Sequence, residues 1–215
     1  MALSKIQPAS MDLTDNYAFT GTNSITSASS GTYEQKKLAT LTASSSSTLS
    51  FTSSIDSTYN IYKFRFIEIH PSHNGNVDFG FQGSTNTGSS YGVTLTSTFF
   101  DAYHYENDSS AAVRYLTSRD LAQSTSFQPL SVNTAEADAD QHVSGELFLF
   151  DPSSTTFVKH FISTTQTASD GGSDDFSDNA YIAGYFNTTS AIDAIQFKFP
   201  SGNIDSGTIE MYGIN

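Results

Sequence analysis

Apolar and polar positions alternate in short runs from Lys36 onward, most cleanly in Gly207-Thr208-Ile209-Glu210-Met211-Tyr212-Gly213-Ile214. Successive side chains leave a strand on opposite faces, so a period of two marks a half-buried strand. The pattern predicts strands at Leu38 to Thr42, Thr48 to Thr52, Ile61 to His70, Val77 to Gln82, Tyr91 to Phe100 and Ala111 to Leu116. It continues with Val143 to Phe150, Thr156 to Ser163, Ala180 to Phe186, Ile192 to Phe199 and Thr208 to Ile214. The runs recur about every 10 to 20 residues between clusters of Gly, Pro, Asn, Asp and Ser, the turn chemistry of an antiparallel chain. Almost no helical periodicity competes with them. The predicted fold is all-β, an antiparallel β-sandwich of jelly-roll type. In the third run Tyr62, Phe64 and Phe66 share one face while Lys63 and Arg65 share the other. Glu68 breaks the first set and Ile67 joins the second, which predicts a bulge where the face switches.

Residues 1–35 follow no such period. Leu3, Ile6, Met11, Leu13, Tyr17 and Phe19 stand isolated in a Ser/Thr/Asn/Gly background that cannot bury much surface alone. The chain therefore divides into an extended N-terminal arm, 1–35, and a sandwich domain, 36–215. The six apolar residues of the arm are candidate contacts for attachment to a neighbouring chain.

The closing strand resembles the GTI-x-LYGI ending of a family of small β-sandwich proteins of tailed bacteriophages, described as virion or tail-fibre proteins. Phe81-Gln82-Gly83 leading to Tyr91 resembles that family's F-x-G loop, and Gly145 to Lys159 resembles its G-x-L-x-x-x-x-P-S-S-T hairpin with the Lys that follows. Gly184 to Phe197 is similar to its G-x-x-x-T-T-x-A-I-x-x-I-x-F segment, and Pro200-Ser201-Gly202 precedes the last strand. These pieces occur in family order. The opening ALSKIQPASMDLTDNYAFTGT is similar to lead-in segments of phage fibre proteins, whereas Ala102 to His142 departs most and reads as a variable insertion. The resemblance implies a non-enzymatic virion structural protein, a tail-fibre or tail-appendage module contributing to host-surface attachment. It also implies a homotrimer with other phage virion proteins as partners, made in the bacterial host cytoplasm and carried on the particle surface. Two alternatives stay open, a capsid head-decoration (cement) protein and a stand-alone carbohydrate-binding module.

Charge and composition narrow the partners. With 22 acidic against 9 basic residues, the formal charge is −13 and the sequence pI near 4.4, which repels a phosphate backbone. Nucleic acid is not an expected partner. No window approaches the roughly 18 consecutive apolar residues of a membrane span, and no membrane insertion is expected. The sequence holds 17 Phe and 11 Tyr but no Trp and no Cys, so neither disulfides nor thiolate–metal chemistry is available. Stability has to come from burial and from subunit contact.

Candidate chemistry is sparse. Gly88-Ser89-Ser90-Tyr91-Gly92 matches the nucleophile-elbow pattern, yet Ser90 is followed by strand-like Val93 to Thr96 where that elbow needs a helix. A glycan-cleaving tailspike would need a paired-carboxylate cleft and would rest on a repetitive solenoid, and no internal repeat is present. Asp170, Asp174, Asp175 and Asp178, with Asn179 on a glycine-flexed turn, can offer the oxygens Ca²⁺ prefers, without EF-hand spacing. A solvated hairpin tip accounts for the same residues. No other cofactor is expected. His70 and His73 flank a turn, with His104, His142 and His160 elsewhere, too scattered for the convergent ligands of a zinc site. Glu136, Asp138 and Asp140 read as a solvated acidic loop or a weak cation site. Tyr103, His104, Tyr105 and Tyr115, near the variable segment, are candidate receptor contacts, because such rings stack on sugars and hydrogen-bond their hydroxyls. A host cell-surface glycan is the corresponding partner.

Overall fold

The computed structural model describes residues 35–134, 141–169 and 174–215, and among them every regular element is a strand. In chain order these are β1 (Gln35–Thr42), β2 (Leu49–Phe51), β3 (Ile61–Pro71), β4 (Gly80–Ser84), β5 (Leu95–Tyr105) and β6 (Ala111–Tyr115). They continue as β7 (Gln128–Pro129), β8 (Val143–Phe150), β9 (Lys159–Ser169), β10 (Phe176–Phe186), β11 (Ala194–Lys198) and β12 (Ile204–Ile214). All pairings are antiparallel, in an 8-stranded sheet ordered β1-β12-β3-β8-β9-β10-β5-β6 and a 4-stranded sheet ordered β2-β11-β4-β7. The all-β antiparallel sandwich is thus the fold.

Strand order shows which kind. With the hairpins β5–β6 and β9–β10 set aside, the remaining strands pair as first-eighth-third-sixth in one sheet and second-seventh-fourth-fifth in the other. That is the jelly-roll order of two interlocked Greek keys. Both hairpins add beyond β8, so they widen one sheet only. No described helix is long and apolar enough to cross a membrane.

The two sheets are joined by phenylalanines. Phe197 of β11 meets the rings of Phe51, Phe64, Phe66, Phe79 and Phe81, with centroids 5.3 to 6.3 Å away. Each fully buried ring contributes about 1.5–3 kcal/mol of transfer free energy, and edge-to-face contacts add to it. Further along, Phe81 packs on Phe161 of β9 at 5.0 Å and on Phe186 of β10 at 6.0 Å.

Beyond Phe161 the inner face of β9 turns polar, with Ser163, Thr165, Thr167 and Ser169 all buried. The segment 116–134 meets this half of the sheet by hydrogen bonding. Thr165 donates to the Leu130 carbonyl, Ser169 Oγ to the Val132 carbonyl at 2.5 Å, and the Leu121 N–H donates to Ser97 Oγ at 2.9 Å. Backbone carbonyls of a covering loop are thus satisfied by hydroxyls of the sheet, as burial requires.

The expected bulge lies in β3. Pairing with β8 slips between Phe66 and Ile69, where Glu68 takes a left-handed φ of 52° and its N–H donates to Ser144 Oγ at 3.1 Å. The extra residue keeps the core set on the inside, because Ile69 follows Phe66 into the core while Glu68 stays exposed. Across from it, a Cβ on Gly207 would stand 2.4 Å from the Glu68 carbonyl oxygen, and Gly207 has a φ of 109°. Only glycine fits there.

Candidate functional site

The widened half of the large sheet has an outer face that no described element covers. Register sets Tyr115 of β6, Phe100 of β5, Tyr181 of β10 and Thr164 of β9 side by side. Alternation dictates the outward direction. Phe99 is fully buried, so its neighbour Phe100 must face solvent, where it is 42% exposed beside Tyr115 at 53% and Tyr181 at 39%. The rings of Phe100 and Tyr181 are 5.0 Å apart and within 10° of parallel. Ile162, on β9, is also exposed. Thr98, Asn179 and Gln166 lie on the same face, the two amides held by hydrogen bonds from Asn179 Nδ2 to the Thr165 carbonyl and from Gln166 Nε2 to Ser177 Oγ. A flat pair of rings bordered by hydroxyls and amides can stack against an apolar ligand face while its rim hydrogen-bonds polar groups.

Strand β6 is an edge strand with little burial of its own, and Arg114 ties it down. Its guanidinium donates from Nε to Asp101 Oδ1 at 3.0 Å and from Nη2 to Asp101 Oδ2 at 2.5 Å, and Nη2 lies 3.4 Å from Asp178 Oδ2. The same guanidinium lies 4.1 Å from the centroid of the Tyr103 ring. Asp101 and Asp178 are both buried beneath the sheet. Burial first, and then the hydrogen bond and charge of Asp101, push the Asp178 carboxyl up to about 8. Two adjacent buried carboxyls and one guanidinium thus hold a proton near neutrality. On the solvent side, Tyr115 donates its hydroxyl to Asp120 Oδ2 at 2.7 Å, which raises the phenol above its ordinary range.

The four candidate receptor residues divide between two faces. His104 and Tyr115 point outward at opposite ends of the β5–β6 pairing, and His104 Nε2 sits 3.0 Å from Asp108 Oδ1. Tyr103 and Tyr105 point inward, 5.7 Å from each other and 5.9 and 5.0 Å from Phe176. Phe100 and Tyr181 did not stand out in the sequence, although the doublet Phe99-Phe100 inside an alternating run signals one ring turned outward.

Of the acidic turn, only Asp174, Asp175 and Asp178 belong to the described residues. Asp178 faces Arg114, while Asp175 Oδ1 accepts from Gln141 Nε2 at 3.4 Å, and Asp170 lies outside the described residues. Among the described residues no three His, Cys, Asp or Glu side chains converge as a metal site, His70, His73, His104, His142 and His160 included. Ser90 sits in a loop where its hydroxyl accepts from Asn86 Nδ2 at 2.9 Å. Glu136, Asp138 and Asp140, and the arm residues Leu3, Ile6, Met11, Leu13, Tyr17 and Phe19, lie outside the described residues. Family models, curated proteins and solved structures were compared with the chain, and none matches.

Proposed function

We propose that this protein is a non-enzymatic structural component of a bacteriophage virion, a tail-fibre or tail-appendage module that helps attach the particle to its host. The observation that carries the reading is the exposed, near-parallel Phe100–Tyr181 pair with Tyr115 beside it, on an otherwise hydroxyl-rich sheet. Contiguous exposed rings on a rigid sheet favour contact with another surface. The segments that resemble the phage family coincide with β4, β8 and the turn that follows it, the β10–β11 connection with β11, and β12, and these four strands all belong to the jelly-roll set. In this reading the arm that precedes β1 joins the module to other virion proteins, and the assembled form is a homotrimer.

Cryo-electron microscopy of particles carrying the chain tests this. Density for the sandwich on the tail, three copies around an axis, is the expected result. Density over capsid joints would make it a head-decoration protein, and absence from purified particles would overturn the virion assignment. Light scattering that gives a monomer in solution, together with single copies on the particle, would remove the trimer.

A further inference from the structure

A cleft of about 480 Å³ opens elsewhere, at the end of the four-stranded sheet where β4, β7 and β11 meet. One wall is a cluster of polar groups around an ion pair. Asp78 Oδ2 lies 2.8 Å from Arg119 Nε, while Asp78 Oδ1 accepts from Arg119 Nη2 at 3.1 Å and from the Asn133 N–H at 2.9 Å. Arg119 Nη2 also donates to Asn133 Oδ1 at 2.8 Å, so the charge of Asp78 is matched within the wall. Lys198 lines the same cleft, its Nζ 4.3 Å from the centroid of the Phe127 ring.

Among the described residues Lys198 stands apart from the other basic side chains. Lys37, Lys63, Arg65, Arg114 and Arg119 each have a carboxylate partner, Lys36 is exposed on edge strand β1, and Lys159 is buried on the carbonyls of Phe157 and Thr188. Among the described residues Lys198 has no acid within ion-pair distance, in a chain with 22 acidic residues to 9 basic. An unmatched ammonium inside a cleft favours an anion there. The rest of the lining says which kind of anion. Phe127 and Pro200 give apolar contact and the Asn76 amide gives both a donor and an acceptor, which suits a hydroxylated ring better than a bare ion.

We propose that this cleft binds a carboxylate-bearing sugar, with its carboxylate on Lys198 and its hydroxyls on Asn76 and the Asp78–Arg119–Asn133 wall. The site is separate from the Phe100–Tyr181 face and does not depend on the virion reading. The test is nuclear magnetic resonance titration of the full chain with glucuronate, glucose and acetate in parallel. Glucuronate is expected to shift amides around Asn76, Phe127 and Lys198, with glucose and acetate each about tenfold weaker, the worth of one charge-assisted hydrogen bond or of the ring contacts. Added salt should weaken glucuronate and leave glucose unchanged. Lys198→Gln should lower glucuronate affinity about tenfold, to the level of glucose, with Lys198→Arg retaining most of it. If Lys198→Gln does not fold, Asn76→Ala, in an exposed loop, takes its place and should weaken glucuronate while sparing acetate. Equal binding of glucuronate and glucose, equal binding of glucuronate and acetate, or no shift at these residues would each overturn the proposal.

Discussion

Phe100 and Tyr181 stack 5.0 Å apart within 10° of parallel, on the solvent side of strands whose opposite faces are buried. An exposed ring pair contributes about 0.5–1.5 kcal/mol, and threonine keeps the β-branched preference of a strand. The double variant Phe100→Thr with Tyr181→Thr should therefore lose only about 1 kcal/mol in urea unfolding. If the face contacts the host, the same variant should reduce particle adsorption about tenfold or more, as loss of a central aromatic anchor does. Normal adsorption by particles carrying it would remove this face from attachment.

Phe197 sits where five other phenylalanines converge from both sheets. Its truncation leaves a cavity that neighbours from two layers cannot close together. Phe197→Ala should cost about 3–5 kcal/mol, a large part of an ordinary domain's stability, and Phe197→Leu clearly less. Chemical denaturation of both variants gives the comparison, and a loss below about 1 kcal/mol for the alanine would contradict the packing.

Much of this framework was legible in the sequence, and the exceptions have physical causes. Each predicted run overlaps a strand, because at least one face of each carries apolar residues. The β9 run, predicted to stop at Ser163, continues to Ser169 because its buried side chains there are hydroxyls whose partners are carbonyls of Leu130 and Val132. Periodicity of apolar residues cannot reveal a face that is buried by hydrogen bonds. The two-residue β7 escaped for want of length, and β10 began earlier than expected because Asp178 is buried against Arg114 rather than solvated. The candidate face was half legible. Tyr115 and His104 do point outward, but the choice between Tyr103 and Phe100 depended on which parity of β5 faces the covering segment.

Arg114 neutralises the buried pair beneath that face, and nothing else on β6 reaches inward to Asp101. Removing one partner of a buried ion pair leaves an uncompensated charge and costs about 3–5 kcal/mol, with the lower end expected here because Arg114 keeps some contact with solvent. Arg114→Met should show this loss in denaturation and should raise hydrogen exchange first in β6. Arg114→Lys, which keeps charge without the paired geometry, should recover part of it. Unchanged stability in the methionine variant would mean that the hairpin is held by its backbone pairing alone.

Asp178 supplies a pH dependence of unusual sign. Its carboxyl titrates at 3.8 when free and at about 8 in the fold, so between those values the folded chain holds a proton that the unfolded chain has released. Stability from this group is complete below about pH 4 and is lost as pH rises toward about 8, by at most about 1.4 kcal/mol per pH unit. Asp56 and Glu210 act in the opposite direction and only in more acidic solution. Hydrogen bonds from Thr58 and Tyr212 hold them below the usual carboxylate range, and their contribution is lost as pH falls through their folded values. The window from about pH 5 to 8 therefore isolates Asp178 among these carboxylates. Asp178→Asn places an amide donor where the carboxylic acid stood, so the contact with Asp101 can persist without a titrating proton. Wild-type protein should lose urea resistance from pH 5 to pH 8, while the asparagine variant should lose less and exceed wild type at pH 8. Parallel declines in the two proteins would show that the proton resides elsewhere and that Arg114 keeps both carboxylates ionised.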